Sequence, residues 1–258
     1  MKIANHAGRR NTVWLVSVSV ALFFLMWYGF GDRMPDVPEA LSQTKKYVKG
    51  AKPFTPLKTR NEMGKLLESE GFRVGAEVGV QHGTFAQTTL SQWPSCERYY
   101  LIDVWAQQTK YADQANVDNA TQNDIFAAAK KNVQQWANKT TFMRMRSDQA
   151  ALKITDSSLD YVYVDARHDY CGAKQDINLF WPKLRRGGIM SGHDYLVAAD
   201  VAPAQDWSLC ENGERNPGAV KGAVDEFCRC AAASARCELP RRVIRQLVPS
   251  KAIEGRMT

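Results

Sequence analysis

A strand–helix–strand pattern in the middle of the chain limits what it can fold into. Leu159 to Val164 is an apolar, β-branched and aromatic run that stops at Asp165, as a buried strand does when it delivers a carboxylate to a sheet edge. A helix-length segment follows, with Ile177, Leu179, Phe180 and Leu184 as its apolar positions and Pro182 near its end. Gly187-Gly188 then turns the chain into a second short strand, Ile189 to Ser191, which ends in His193-Asp194. Two parallel strands joined through a helix bring their carboxyl ends to one edge, because the crossover is short and right-handed. Asp165, His168, His193 and Asp194 are therefore expected together.

The same alternation starts at about Lys58. Met63, Leu66, Leu67 and Phe72 predict a first helix ended by Gly71, and Val74 to Val80 predicts a strand. Next come a helix from about Phe85 to Trp93 and a strand from Arg98 to Val104, with Asp103 near its end. A helix from about Asn123 to Trp136 and a strand from Thr140 to Met145, with Ser147-Asp148 at its end, complete the first half. Repeated β-α units predict an α/β domain, a Rossmann-like, mostly parallel, doubly wound sheet with helices on both faces. After Tyr195 the pattern weakens. Leu196 to Pro217 reads as a long polar loop holding Trp207 and Cys210, Ala219 to Ala233 as a helix, and Arg242 to Val248 as one more strand, with the closing edge of the sheet left open.

With 258 residues and 45% hydrophobic content, the chain can fill one such domain plus an appendage, and is not of disordered composition. The appendage is at the start. Val13 to Phe30 carries no charge, and roughly 18 such residues reach across a bilayer as a helix. A cleaved signal peptide is the alternative, but its apolar core is shorter and ends in small residues. This run ends instead in Met26-Trp27-Tyr28-Gly29-Phe30, with aromatics where a membrane interface would lie. Arg9 and Arg10 precede it, and Asp32, Asp36 and Glu39 follow it. The domain is thus expected beyond the membrane, in the lumen of the Golgi or endoplasmic reticulum or outside the cell. The expected organisation is a cytoplasmic tail, 1–12, a single-pass type II transmembrane anchor, 13–30, a stalk, 31–57, the domain, 58–250, and a tail, 251–258. The tail contains a protease-recognition tetrapeptide, Ile253-Glu254-Gly255-Arg256, and is left out of the fold.

Cysteine usage agrees with an oxidising compartment. Cys210, Cys228, Cys230 and Cys237 crowd the last fifth of the chain and suggest disulfides, the rival reading being free thiols in a cytosolic domain. The net charge of +7 is spread along the chain. Its clearest cluster, Lys45, Lys46, Lys49, Lys52, Lys58 and Arg60, falls in a proline-containing stretch and reads as a solvated stalk. No nucleic-acid motif is present.

These residues resemble the class I S-adenosylmethionine-dependent methyltransferases, and more closely the branch called methyltransferase family 24. The resemblance runs from about Val74 to Phe227. Its pieces are Glu77-Val78-Gly79-Val80-Gln81-His82-Gly83, then Leu101-Ile102-Asp103-Val104-Trp105, then Asp165-Ala166-Arg167-His168, then Gly187-Gly188 through His193-Asp194. The E-x-G-x-x-x-G piece alone is common, whereas four pieces in this order are specific. Gly79 and Gly83 would let the backbone approach a cofactor and turn into a helix N-terminus, and Asp103 would hydrogen-bond ribose hydroxyls. A nicotinamide enzyme would share these features. Glu77 is the discriminator, since in the methyltransferase pattern it lies under the methionine end. The resemblance further implies Trp105 near the adenine ring and Asp148 at its amine, against the alternatives of a core aromatic and a helix cap.

Sugar-hydroxyl methyltransferases similar to this sequence hold magnesium with an aspartate after the fourth strand and an acidic pair after the fifth, with a histidine three residues past the first. Asp165, His193, Asp194 and His168 stand at those positions. His193 replaces an acid, which moves the preference of the implied divalent metal from magnesium toward manganese, iron or zinc. The alternative is that these carboxylates cap and hydrogen-bond without a metal. His168, with Asp165, is the implied catalytic group, because a hydroxyl nucleophile must lose its proton and a base titrating near neutrality accepts it best.

The resemblance thus implies a membrane-anchored enzyme that moves a methyl group from S-adenosylmethionine to a hydroxyl of a glycan or small metabolite. A type II membrane glycosyltransferase shares that topology but usually carries a D-x-D motif, which is absent. An inactive cofactor-binding scaffold is the rival from another class. Neither acceptor identity nor oligomeric state can be read from these residues.

Overall fold

The structure, a computed structural model, describes residues 57–233 and 242–244. All belong to one of the two units into which the chain divides, Val48–Thr258. The expected tail 1–12, anchor 13–30, stalk up to residue 56 and tail 251–258 lie outside the described residues. Among the described residues no helix is long and apolar enough to cross a membrane.

Helices and strands alternate in the order α1 (Met63–Ser69), β1 (Val74–Val78), α2 (Thr84–Ser91), β2 (Arg98–Asp103), α3 (Asn119–Asn132) and β3 (Thr140–Arg144). The second half continues with α4 (Ser147–Ala151), β4 (Leu159–Val164), α5 (Tyr170–Phe180), β5 (Leu184–Gly192), α6 (Ala219–Ala233) and β6 (Arg242–Ile244). The strands form one sheet in the order β3-β2-β1-β4-β5-β6, and every pairing is parallel. β5 starts at Leu184, earlier than the expected Ile189, because the glycine pair lies inside the strand and not before it. Gly187 has φ 81°, and the pairing with β4 shifts register between Leu159 and Tyr161. Two steps along β4 there match five along β5, from Leu184 to Ile189, so β5 absorbs three extra residues in an irregular bulge.

Alternation along the strands divides the core between the two faces of the sheet. On one face Tyr99, Tyr161 and Tyr163 join Phe85, Leu90 and Trp93 of the α2 region and Ile125 and Ala129 of α3. On the other, Ala76, Val78, Ile102 and Val162 meet Ala150, Ile177, Phe180 and Val220 of α4, α5 and α6. Buried aromatics contribute about 150–250 Å² of removed surface each, and their polar ends are satisfied. Trp93 Nε1 donates to the Phe72 carbonyl at 2.7 Å, and the Tyr161 and Ser191 hydroxyls lie 3.0 Å apart. Asp160, buried within β4, accepts from the backbone N–H groups of Arg73 and Val74 at 2.6 and 2.8 Å. It thereby fixes where β1 enters the sheet.

Of the four cysteines that suggest disulfides, Cys210 forms one, and its partner is Cys171, at the start of α5 and 39 residues away. Cys228 and Cys230 are free, as is buried Cys96, while Cys237 lies outside the described residues. Cys228 and Cys230 share α6 two residues apart, a spacing that turns side chains to different sides of a helix. The bond ties the loop 196–217 to the helix that follows β4. Replacing Cys171 and Cys210 together by serine should lower stability by about 2–4 kcal/mol, as expected for a loop of this size. Urea denaturation of the oxidised protein and of the double variant measures it, and equal midpoints would show that the loop is held without the bond.

Candidate active site

The carboxyl ends of β1, β2, β4 and β5 open on a cavity of about 920 Å³. It lies where the strand order reverses, between β1 and β4, the position at which open α/β sheets bind ligands. Small-molecule sites span about 300–1,000 Å³, so the cavity has room for a cofactor and a second substrate. Three non-glycine residues at this edge take positive φ: Gln81 (50°) after β1, Trp105 (41°) after β2 and Asp194 (52°) after β5. Each such conformation costs about 1–3 kcal/mol, and such residues concentrate at functional sites.

One half of the cavity is built by β1 and β2. Gly79 has φ 89°, and a Cβ there would sit 1.9 Å from the backbone oxygen of Asp165. Its lack of a side chain therefore admits the end of β4, whereas the expected reason was close approach to a cofactor. Gly83, with φ 72°, precedes α2, and a Cβ there would sit 3.3 Å from the Ala129 backbone of α3. It does not line the cavity, but Gly79 does. Asp103 Oδ2 accepts from the Val80 and Gln81 backbone N–H groups, both at 2.9 Å, and Oδ1 accepts from Trp105 N–H at 3.0 Å. A carboxylate offers about four acceptor positions, so Asp103 clamps the two loops together and keeps one for a ligand hydroxyl. Glu77 is buried on the cavity floor and accepts from the Tyr99 hydroxyl at 3.0 Å. Burial raises its pKa well above the usual carboxylate range, against the hydrogen bond from Tyr99.

The other half is built by β4 and β5. Asp169 N-caps α5 by accepting from Gly172 N–H at 3.0 Å, and Arg167 Nε lies 2.7 Å from it. This cap fixes the turn that presents His168. His168 Nε2 lies 3.4 Å from Asp165 Oδ1 and 3.3 Å from Asp194 Oδ2. On the far side of the ring, Nδ1 is 2.9 Å from Asp113 Oδ2, which also accepts from Trp207 Nε1 at 2.8 Å. A carboxylate only accepts, so Nδ1 carries a proton. His193 Nδ1 is 2.9 Å from Asp194 Oδ1. Arg60 reaches in with Nη1, 3.2 Å from the Tyr163 hydroxyl and 3.5 Å from Asp165 Oδ2.

The sequence of residues 76–195 matches the model of methyltransferase family 24, described as a methyltransferase domain. That stretch holds both halves of the site from Glu77 to Asp194. Over these residues the chain is similar to the methyltransferase domains of this family. Solved structures similar to the chain include the O-methyltransferase TomG from Streptomyces achromogenes, involved in tomaymycin synthesis and in complex with SAM. It shares 14% identity, with 84% of this chain and 85% of that one covered and a TM-score of 0.48. The O-methyltransferase from Bacillus cereus in complex with SAH shares 15%, covering 77% and 79%, with a TM-score of 0.46. No curated protein matches the sequence.

The structure brings together Glu77, Gly79, Asp103, Asp165, His168, His193 and Asp194 in one cavity. It does not bring Trp105 or Asp148 there. Trp105 is fully buried, packed 4.6 Å from Phe126, and donates from Nε1 to the Gln81 carbonyl at 2.9 Å. It is a core aromatic that holds the glycine loop. Asp148 accepts from Gln149 N–H and pairs with Arg146 at 3.7 Å. The wall expected from Asp148 is formed by Ser147, Met145 and buried Asp176, whose pKa burial pushes up to about 7. Asp113, Trp207 and Arg60 are further site residues that no motif marks. Arg60, read from sequence as part of a solvated stalk, lines the cavity instead.

Titration of His168 also departs from the expected value near neutrality. Burial disfavours the charged ring, but the hydrogen bonds with Asp113 and Asp165 and the charge of Asp194 outweigh it and push the pKa up to about 10. In the metal-free domain the imidazole is therefore charged at pH 7. Proton–carbon NMR of the ring should give a midpoint near 10 for His168, lowered by about 1–3 units in Asp113→Asn, where one opposing charge is gone. A midpoint near 6.5 in the parent protein would show that the carboxylates do not act on the ring.

Proposed function

We propose that the chain transfers a methyl group from S-adenosylmethionine to a hydroxyl of a glycan or small metabolite. The observation that carries this reading is that the Asp103 and Glu77 half and the Asp165, His168 and Asp194 half face one cavity. The donor set fits the cofactor: Asp103 has acceptor capacity for a ribose, Ile102 and Met145 give apolar wall beside it, and the buried Glu77 carboxyl, its pKa raised by burial, lies beneath. When bound, S-adenosylmethionine supplies an activated methyl group on a sulfonium.

The chain's own residues do the rest. In the transfer a carbon–sulfur bond breaks, a carbon–oxygen bond forms and the acceptor hydroxyl gives up its proton. The Asp103 and Glu77 half would hold the cofactor and the Asp165, His168 and Asp194 half the acceptor, and positioning of this kind accounts for much of the acceleration of such a displacement. The edge carrying Asp165 and His168 receives the acceptor hydroxyl, and its proton goes to a carboxylate there, because neither nitrogen of the His168 ring has a lone pair to spare. A divalent ion held by Asp165 and Asp194 would supply positive charge next to that oxygen.

With methyl-labelled cofactor and extracted glycans or metabolites, the product should be an alkali-stable methyl ether identified by mass spectrometry. His168→Ala and Asp165→Asn should each lower turnover by about 10²–10⁴. Cofactor affinity, read by calorimetry, should stay within about threefold, since these side chains face the acceptor. Tight cofactor binding with no labelled product, or label only on nitrogen or sulfur, would overturn the reading.

The uncharged run Val13–Phe30 with Arg9 and Arg10 before it supports a type II anchor with the domain in a lumen or outside the cell. The Cys171–Cys210 bond supports an oxidising compartment in the same way. The full-length protein should remain with membranes in alkaline carbonate, and its domain should resist added protease until sealed vesicles are opened with detergent. Digestion in intact vesicles would reverse the orientation.

A further inference from the structure

The family pattern puts His193 among the metal ligands and leaves His168 outside them, but the side chains are arranged the other way round. His168 Nε2 stands 3.4 Å from Asp165 Oδ1 and 3.3 Å from Asp194 Oδ2, and one donor atom from each of the three residues lies within 4.8 Å of the other two. Donors bound at about 2.1 Å and separated by roughly 90–110° around an ion stand about 3.0–3.4 Å apart. We infer that His168 is a metal ligand that completes a two-carboxylate, one-imidazole site with Asp165 and Asp194, while His193 lies outside the ligand set.

The remaining contacts of each side chain agree with this assignment. A ligating histidine donates its other ring N–H to a carboxylate or carbonyl, which fixes the tautomer and turns the free lone pair to the ion. His168 Nδ1 has that partner in Asp113, 2.9 Å away and only 1% exposed. Asp113 is itself held by Trp207 Nε1 and the Ala115 N–H, both at 2.8 Å, and Trp207 covers the His168 ring at 4.4 Å between centroids. His193 Nδ1 lies 2.9 Å from Asp194 Oδ1, the oxygen not facing His168, and 3.9 Å from Asp165 Oδ1. It steadies Asp194 from the side. Arg60 likewise takes Oδ2 of Asp165 and leaves Oδ1 to the cluster. An imidazole with two carboxylates suits manganese or zinc better than magnesium, which favours oxygen donors.

The assignment rests on the methyl-transfer reading for its purpose but not for its test, because ion binding is measured without cofactor or acceptor. The full-length chain in detergent, stripped of metal, is titrated with manganese(II) and followed by loss of the free-ion paramagnetic resonance spectrum. It should bind a single ion, at least tenfold tighter than magnesium in competition. Electron spin-echo spectra of the bound manganese should show coupling to a directly attached ring nitrogen. That coupling should persist in His193→Ala and disappear in His168→Ala, while Asp113→Asn should weaken binding by about 10–100-fold. Lack of nitrogen coupling in the parent protein would overturn the assignment whether or not any variant folds. So would failure to bind manganese, or a coupling lost in His193→Ala and kept in His168→Ala. Manganese bound through His168 in a chain that transfers no methyl group would leave the site standing and remove the proposed reaction.

Discussion

Everything at the site depends on how closely β1 and β4 approach at their carboxyl ends. The Asp165 backbone oxygen occupies the space that a side chain at position 79 would need, and Asp165 N–H donates to the Val78 carbonyl at 2.7 Å. On the opposite flank, Gly79 N–H donates to the Ile102 carbonyl at 2.8 Å. One glycine thus sits between the strand that carries Asp103 and the strand that carries Asp165. Any side chain there would push the two halves of the cavity apart. Methyl transfer needs reacting atoms about 3–3.5 Å apart, so a displacement of this size would matter even though Gly79 performs no chemistry.

Hydrogen bonding at each half converts this backbone constraint into fixed side chains. Asp103 takes three backbone N–H groups from two loops. It therefore acts as a structural clamp before it acts as a ligand for anything. In the second half three carboxylates, Asp113, Asp165 and Asp194, surround His168, with Arg60 and His193 at the periphery. Burial raises the pKa of Asp113 and Asp194, but the hydrogen bonds and charges of the histidines more than offset this and hold both below the usual range. Negative charge is concentrated around this one imidazole ring, with Asp113 at Nδ1 and Asp165 and Asp194 at Nε2.

The fold was largely legible because its signals are local. The run Leu159 to Val164, the helix after it and the short strand ending at His193 each follow from periodicity and turn residues, and right-handed crossover does the rest. That logic correctly brought Asp165, His168, His193 and Asp194 to one edge. It could not rank the two histidines, since chain spacing sets which residues meet but not where ring nitrogens point. Trp105 and Asp148 show the same limit from the other side. Both occupy motif positions, yet Trp105 turns into the core and Asp148 turns to Arg146. Asp113 and Trp207 had no sequence signal at all, because each lies in a loop and gains its role only from a partner, His168, 55 residues away in one case.

The loop 196–217 extends this point to specificity. It is long and polar, yet four separate ties fasten it over the site: the Asp206 N–H to the Ala112 carbonyl at 2.9 Å, Trp207 Nε1 to Asp113, Cys210 to Cys171, and Glu211 to Arg146. Three of the four partners, Ala112, Asp113 and Arg146, belong to the β2 and β3 side of the sheet, and only Cys171 belongs to the β4 side. The loop therefore bridges the crevice between the two halves. Ordering a segment of that length costs about 1–2 kcal/mol per residue in backbone entropy, and a covalent tie offsets part of this by restricting the unfolded chain. The cavity wall on this side is thus set by tertiary contacts spread across the domain, chiefly the pairing of Trp207 with Asp113 and the carboxylates around His168, more than by any motif along the chain.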